Sequence, residues 1–137
     1  MTLVVDTSVT MAWIFADERD AYSLAAARRV DAQGGAVPAL WRWEVENTLL
    51  SALRRNRIDE AELEQHLLDL QSLPIEVDGT SGFGSEVSLA RQFDLSVYDA
   101  AYLELAMRRN CKLATNDEAL RKAARSSGVY FSLGSRK

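Results

Sequence analysis

Short apolar runs alternate with longer amphipathic segments along this chain. The runs that predict strands are TLVV at 2–5, AVPAL at 36–40, IEV at 75–77, KLAT at 112–115 and VYF at 129–131. The segments that predict helices lie at 8–16, 21–33, 41–56, 58–73, 85–93, 96–110 and 117–128. Short strands alternating with longer helices indicate βα units around a mostly parallel sheet. We therefore predict an α/β fold with a short, mainly parallel sheet of four to five strands, surrounded by helices.

Local signals support these boundaries. The third helix has one apolar face, formed by Trp41, Val45, Leu49 and Leu53. Gly34 closes the second helix, Asp59 opens the fourth, and Pro74 ends it. The chain has 137 residues, 47% of them hydrophobic, and it shows no repeat, low-complexity tract or linker. We expect residues 1–137 to form a single domain.

Residue content excludes several classes of protein. No apolar run approaches the ~20 residues that cross a bilayer, and the N-terminal MTLVVD lacks the basic region and cleavage site of a signal peptide. Cys111 and His66 are the only residues of their types. They leave no internal disulfide and no zinc site of the Cys/His kind within one chain. We expect a cytoplasmic protein that does not associate with membranes.

The net charge of −4 argues against a nucleic-acid partner, but its distribution is uneven. Basic residues cluster at 28–29, 54–57, 108–112 and 121–125. Most of these clusters end predicted helices, where the helix dipole favours cations. Helix capping and solubility explain each cluster alone, whereas together the clusters also suit a phosphate backbone.

Two acids directly follow or closely follow predicted strands. Asp6 comes directly after the first strand. It can be the N-cap of the next helix or a site residue, and the sequence favours neither. Thr7 and Ser8 could cap that helix instead. Asp117 follows KLAT, and a cap at Thr115 or Asn116 would leave its side chain free. Ligands of open α/β sheets bind outside the carboxyl ends of the strands.

Two further acids lie on predicted helices. Glu44 lies in the first turn of its helix at the edge of the apolar face, where the helix dipole alone would favour an acid. Asp99 shares a stripe with Tyr102 and Ala106, and we place Glu104 on the opposite face. An acid on a core-facing stripe needs a partner such as a cation or several hydrogen-bond donors.

All four acids can converge at one edge of a parallel sheet. Carboxylates packed together repel one another, and a hard divalent cation reverses that penalty. Mg²⁺ and Mn²⁺ prefer oxygen ligands. The sequence therefore predicts a metal site, with Asp6 carrying part of the negative charge.

Four segments in this order, LVVDTSV, PALWRWEVEN, VYDAAYLELA and LATNDEAL, resemble the PIN domain, most closely the VapC-type toxin ribonucleases. The resemblance covers residues 3–131 and implies a three-layer α/β/α sandwich. It implies catalytic roles for Asp6, Glu44, Asp99 and Asp117, with Mg²⁺ or Mn²⁺ bound by Asp6, Asp99 and Asp117. It also implies positioning roles for Ser8, Thr115, Thr7, Asn47 and Asn116.

The resemblance further implies a function and partners. The expected activity is metal-dependent hydrolysis of RNA, with transfer RNA a frequent target in the family. The expected partners are a VapB-type antitoxin and a second copy of the chain, in a homodimer that forms a heterotetramer or larger assembly with the antitoxin. Two alternatives stay open. One is a metal-dependent phosphatase or phosphotransferase that uses Asp6, and the other is a PIN module that binds RNA or protein without catalysis.

Overall fold

The computed structural model describes residues 2–134 as seven α-helices around a four-stranded sheet. The strands are β1 (Leu3–Val5), β2 (Gly35–Val37), β3 (Ile75–Val77) and β4 (Lys112–Ala114). The helices are α1 (Thr7–Ile14), α2 (Ala21–Gln33), α3 (Leu40–Arg54), α4 (Glu60–Gln71), α5 (Ser85–Phe93), α6 (Val97–Arg109) and α7 (Glu118–Ser126), with a 3₁₀ turn at Ala16–Glu18.

The sheet is parallel throughout, in the order β3-β2-β1-β4. All three residues of β1 are completely buried. Successive side chains of a strand point to opposite faces, so helices must cover both faces of this sheet. Helix α2 packs on β1, while α6 packs on β1 and β4 with α5 and α7 beside it. The predicted α/β class and three-layer arrangement are confirmed.

The fifth predicted strand, VYF, forms only an isolated bridge. Tyr130 pairs with Leu113 in parallel fashion, and the backbone of Phe131 donates to Leu113 at 2.9 Å. The ladder stops there because the chain leaves the sheet edge after this contact. The observed sheet therefore has four strands among the described residues.

Helix α4 is the least buried of the seven, because none of its residues reaches full burial. Leu63, Leu67 and Leu70 pack only partly against the core, and Leu68 is exposed. No helix among residues 2–134 has the length and apolar character to cross a membrane.

Stability of α4 should depend on its N-cap. The Asp59 carboxylate accepts from the Glu62 backbone at 2.8 Å, and the Glu62 side chain accepts from the Asp59 backbone at 2.9 Å. Asp59→Ala removes one half of this capping box. We expect the free energy of unfolding to fall by about 1 kcal/mol in urea denaturation, with exposed Glu64→Ala as a control that changes little. An unchanged midpoint would show that tertiary packing alone orders α4.

Candidate active site

The sheet changes direction of winding between β1 and β4. From β1 the chain adds β2 and β3 on one side, and β4 then pairs with the other side of β1. The crevice outside the carboxyl ends of these two strands is where ligands bind in open α/β sheets. Val5 is in register with Ala114, so Asp6 and Thr115 emerge side by side.

Asp6 is buried at this edge, with 5% of its surface exposed. Its carboxylate accepts from the Val9 backbone at 3.1 Å, from the Ser8 hydroxyl at 2.6 Å and from the Thr115 hydroxyl. Burial raises the pKa of Asp6 from 3.8 to about 6, although these hydrogen bonds oppose the rise and the nearby Asp117 adds to it. Asp6 is thus the N-cap of α1, in preference to Thr7 and Ser8, and it also faces the crevice.

Asp117 caps α7 itself, accepting from the Leu120 backbone at 2.9 Å. The suggestion that Thr115 or Asn116 caps this helix is therefore wrong. Thr115 instead bridges the two acids, since its hydroxyl donates to Asp6 and accepts from the Asp117 backbone at 3.0 Å. Asn116 reaches the site through its backbone, which donates to the Ser8 hydroxyl at 2.9 Å.

Glu44 lies in the second turn of α3, because the helix begins at Leu40 and has no acid in its first turn. Its placement in the first turn was wrong, which weakens the helix-dipole explanation. Its Oε1 accepts from the Tyr102 hydroxyl at 2.6 Å and from the Thr7 hydroxyl at 2.8 Å. Residues of α1, α3 and α6 thus meet at one carboxylate. Asn47 is exposed and makes no hydrogen bond to the four acids among the described residues.

Asp99 is half-buried near the start of α6. Ser96 is the N-cap of this helix and accepts from the Asp99 backbone at 3.0 Å. Burial raises the pKa of Asp99, and the carboxylates of Asp117 and Glu44 raise it further. The three acids are therefore close enough to interact electrostatically, and Asp117 couples in turn to Asp6.

Glu104 is buried, with 8% exposed, so its predicted place on an open face of α6 was wrong. Its carboxylate accepts from the Arg108 guanidinium at 2.8 Å, and Arg108 also pairs with Asp78 at 3.3 Å. Arg109 pairs with Glu76 and Asp78. The basic pair at the end of α6 therefore anchors the loop after β3.

The four acids have no cationic partner among the described residues. None of the ion pairs among residues 2–134 involves Asp6, Glu44, Asp99 or Asp117. Clustered carboxylates without a cationic side chain suit a hard cation with oxygen ligands. The four acids do not form a ready-made coordination site. Among residues 2–134, no group of three or more Asp, Glu, His or Cys side chains is arranged to hold a metal ion. The carboxylate oxygens of the four acids fit such an ion by their chemistry.

Sequence reasoning missed two tyrosines. Tyr102, almost completely buried, was assigned only to the apolar stripe, yet its hydroxyl orients Glu44. The hydroxyl of Tyr22 accepts from the Thr115 backbone at 3.3 Å and donates to the Phe131 carbonyl at 2.7 Å, so it links Phe131 to the site. A buried tyrosine needs a polar partner, which is the signal that could have identified Tyr102; no local pattern marks Tyr22.

Removing the Tyr102 hydroxyl should loosen Glu44. In Tyr102→Phe the ring still packs, but the carboxylate keeps only the Thr7 donor. We expect a loss of about 1.5–3 kcal/mol in the free energy of unfolding, because the hydrogen bond is to a charged group. The matched control is Tyr98→Phe, whose hydroxyl is exposed. Equal stability of both variants would contradict the role given to Tyr102.

One family model and a solved structure match this chain. The sequence model of the PIN domain matches residues 3–126, so the chain belongs to the PIN domain family. PIN domains are generally metal-dependent nucleases and typically bind divalent metals. The structure is also similar to the crystal structure of PAE2754 from Pyrobaculum aerophilum, with a TM-score of 0.71 over 90% of this chain and 84% of that chain. At 23% identity, this match shows a shared fold alone. No curated protein sequence matches this chain significantly.

Proposed function

We propose that this protein is a Mg²⁺- or Mn²⁺-dependent endoribonuclease and the toxin of a VapBC-type toxin–antitoxin pair. The observation that carries the nuclease proposal is the set of four acids without cationic partners, at the crevice where the winding of the sheet reverses. The family resemblance in LVVDTSV, PALWRWEVEN, VYDAAYLELA and LATNDEAL supports the toxin role.

Asp6, Asp99 and Asp117 are the proposed metal ligands. Bound metal would polarise the scissile phosphodiester, lower the pKa of water and neutralise charge that develops in the transition state. The hydroxyls of Ser8 and Thr115 hold the Asp6 carboxylate in one orientation, and Thr115 also positions the backbone of Asp117. These contacts orient the ligands before substrate arrives.

Glu44 is the proposed acceptor of the proton from the attacking water. Tyr102 and Thr7 both donate to its Oε1, which leaves Oε2 for a water molecule. If the P–O3′ bond breaks, hydrolysis by water leaves a 5′-phosphate and a 3′-hydroxyl. No histidine route through a cyclic phosphate is supported, because the only histidine, His66, lies on α4 against Phe15.

The test is a cleavage assay on purified protein with Mn²⁺, with EDTA, and with Asp99→Asn. We expect the wild type to cut structured RNA only with metal and the variant to be inactive. Transfer RNA is the first substrate to try, on the family resemblance. If both proteins lack activity, Mn²⁺ calorimetry decides between the wrong RNA and a structural role: heat of binding for the wild type alone supports the site, and none for either protein refutes it.

A VapB-type antitoxin and a homodimer are the proposed partners. An antitoxin tail with a basic side chain would complement the four carboxylates, whose charge no side-chain cation in the described residues offsets. The exposed Leu68 on the sparsely buried α4 supports assembly through a helical surface. Sedimentation of the wild type and Leu68→Ala tests the dimer, and co-expression with the neighbouring antitoxin gene tests the complex.

The phosphatase alternative is disfavoured by the surroundings of Asp6. Phosphatases that pass through an aspartyl-phosphate commonly carry a second acid two residues after the nucleophile. Residue 8 is a serine, and its hydroxyl donates to the Asp6 carboxylate. Absence of a phosphoenzyme after incubation with acyl or aryl phosphates is the expected result.

A further inference from the structure

The edge of the sheet beside the site is interrupted by a side chain. Strand β4 and the segment after α7 form parallel backbone hydrogen bonds, from Leu113 to Val129 at 2.6 Å and from Phe131 to Leu113 at 2.9 Å. In a regular parallel ladder the Thr115 backbone N–H would donate next, to the Phe131 carbonyl. The Tyr22 hydroxyl lies there instead, since it accepts from the Thr115 N–H at 3.3 Å and donates to the Phe131 carbonyl at 2.7 Å. One side-chain hydroxyl thus replaces one hydrogen bond of the ladder.

The replacement matters because Thr115 holds two of the site acids. Its hydroxyl donates to the Asp6 carboxylate and accepts from the Asp117 backbone at 3.0 Å. A direct bond to the Phe131 carbonyl would draw the Thr115 backbone toward the sheet edge, because such a bond brings the nitrogen and oxygen to about 2.9 Å. The inserted hydroxyl keeps the two backbones apart and leaves Thr115 where it reaches both acids.

The ring of Tyr22 is itself held in place. It stacks on Tyr130 with centroids 5.8 Å apart and planes 12° from parallel, and Phe131 packs against it at 5.7 Å. A capping box fixes the backbone of α2 at this point. The Asp20 carboxylate accepts from the Ser23 backbone at 2.8 Å, and the Ser23 hydroxyl accepts from the Asp20 backbone at 3.0 Å. A group held on two sides in this way can impose a position on its neighbours.

The Tyr22 hydroxyl has the protonation state that its place requires. A backbone N–H on one side and a carbonyl on the other need a group that accepts and donates at once, which a neutral phenol does. Burial raises the pKa of Tyr22 above its ordinary value, and the neighbouring Tyr130 hydroxyl raises it further. The hydroxyl therefore stays protonated at neutral pH and keeps both hydrogen bonds.

We propose that Tyr22 is a positioning residue of the site: its hydroxyl sets the place of Thr115, and through Thr115 it fixes the spacing of Asp6 and Asp117. The proposal rests on the proposed function, because these two acids are proposed metal ligands. Among residues 2–134, Tyr22 forms its hydrogen bonds with the backbones of Thr115 and Phe131 and not with either acid. Its effect on the acids therefore passes through Thr115.

The first test is Mn²⁺ calorimetry on a double-mutant cycle. Tyr22→Phe keeps the ring and removes the hydroxyl, whereas Thr115→Val removes the hydroxyl that bridges the acids. We expect each single variant to bind Mn²⁺ about ten-fold more weakly, the usual effect of losing a group that orients metal ligands. Adding Tyr22→Phe to Thr115→Val should change the affinity by less than about two-fold, because the two residues act in one chain of contacts.

A conservative change at Thr115 completes the cycle. Thr115→Ser keeps the bridging hydroxyl, so adding Tyr22→Phe to it should again weaken Mn²⁺ binding about ten-fold. Wild-type affinity in Tyr22→Phe would overturn the proposal. Full additivity of Tyr22→Phe and Thr115→Val would also overturn it, because Tyr22 would then act by another route.

Asp59→Ala is the control for lost stability. It removes a helix cap on α4 and leaves the contacts of Tyr22 and Thr115 intact. Its Mn²⁺ affinity should match that of the wild type. Equal losses of affinity in Asp59→Ala and Tyr22→Phe would count against a positioning role, since reduced stability would then explain both.

The second test needs no metal and measures backbone hydrogen exchange by NMR in EDTA. If Thr115 shifts in Tyr22→Phe, the Asp117 N–H loses the Thr115 hydroxyl as its acceptor. We expect the Asp117 amide to exchange about ten-fold faster relative to the amide of Leu113, which lies in the buried sheet and follows global stability. Unchanged relative exchange at Asp117 would mean that Thr115 keeps its place without Tyr22, contrary to the proposal.

The positioning role and the ribonuclease function can fail separately. If Asp117 exchanges faster in Tyr22→Phe while the wild type binds no Mn²⁺ and cuts no RNA, the ribonuclease fails and the positioning of Thr115 by Tyr22 stands. If the wild type binds Mn²⁺ and cuts RNA while Tyr22→Phe matches it in Mn²⁺ affinity and in exchange at Asp117, the ribonuclease stands and the positioning role fails.

Discussion

Asp6→Asn is expected to abolish Mn²⁺ binding and RNA cleavage while it stabilises the metal-free protein at neutral and higher pH. The activity should fall by at least about 10³-fold, because the chemistry that a bound metal supplies is worth several kcal/mol. Asparagine keeps an oxygen that accepts from the Val9 backbone, so the cap of α1 survives. The Ser8 hydroxyl can keep donating to that oxygen, and the Thr115 hydroxyl can rotate to accept from the new amide.

The stabilisation follows from the pKa of Asp6. Burial raises this pKa from 3.8 to about 6 in the folded protein, so folding favours the neutral carboxyl group. The stability contributed by Asp6 is fully present below pH 3.8 and is lost as the pH rises through about 6. Well above that pH the ionised carboxylate lowers the free energy of unfolding by up to about 3 kcal/mol relative to a neutral side chain.

The measurement is urea denaturation of both proteins in EDTA at several values of pH. The free energy of unfolding of Asp6→Asn should exceed that of the wild type by an amount that grows as the pH rises from about 4 to about 8. Asp6→Ala removes both the charge and the cap, whereas Asp6→Asn removes only the charge. The difference between the two variants in the free energy of unfolding, about 1 kcal/mol, therefore measures the cap. Retained cleavage in Asp6→Asn together with a sharp fall in melting temperature in Asp6→Ala would show that Asp6 is only a cap.

Glu44→Gln is expected to lower cleavage by about 10²- to 10⁴-fold, the usual contribution of a general base. Glutamine can still accept from Tyr102 and Thr7 through its amide oxygen. It cannot take a proton from water, so the fold and the contact between α3 and α6 should remain while the chemical step slows. Mn²⁺ binding, measured by calorimetry, should stay within a few-fold of the wild type, because the proposed ligands are the three aspartates.

Glu46→Gln is the matched control, since Glu46 is exposed on the same helix and forms only a surface pair with Arg42 at 3.7 Å. Its activity should be close to that of the wild type. Loss of Mn²⁺ binding in Glu44→Gln would make Glu44 a metal ligand instead of a base. Full activity of Glu44→Gln would remove it from the mechanism.

Local signals carried most of the fold prediction. Helix α5 matches its predicted range of 85–93, and α2 matches 21–33, because apolar spacing and helix ends are properties of adjacent residues. The VYF segment forms an isolated bridge and not a full strand. A short apolar run shows that a segment can pair in a sheet, but not how many of its residues will pair with a neighbouring strand. The burial of Glu104 was not predicted for a related reason. Helix periodicity identifies the apolar face of a helix, but it does not show how many other elements surround the helix.

The site shows the same division. Asp6 and Asp99 could be singled out from sequence, because an acid at a strand end or on an apolar stripe is out of place wherever the chain folds. Nothing in the sequence order says that β4 lies beside β1, which brings Thr115 and Asp117 to Asp6. The contact of Tyr102 with Glu44 spans 58 residues. The carboxylate groups and the helices and strands that carry them follow from local chemistry. Strand order and the hydrogen bond from Tyr102 on α6 to Glu44 on α3, which bring those groups together, depend on the tertiary fold.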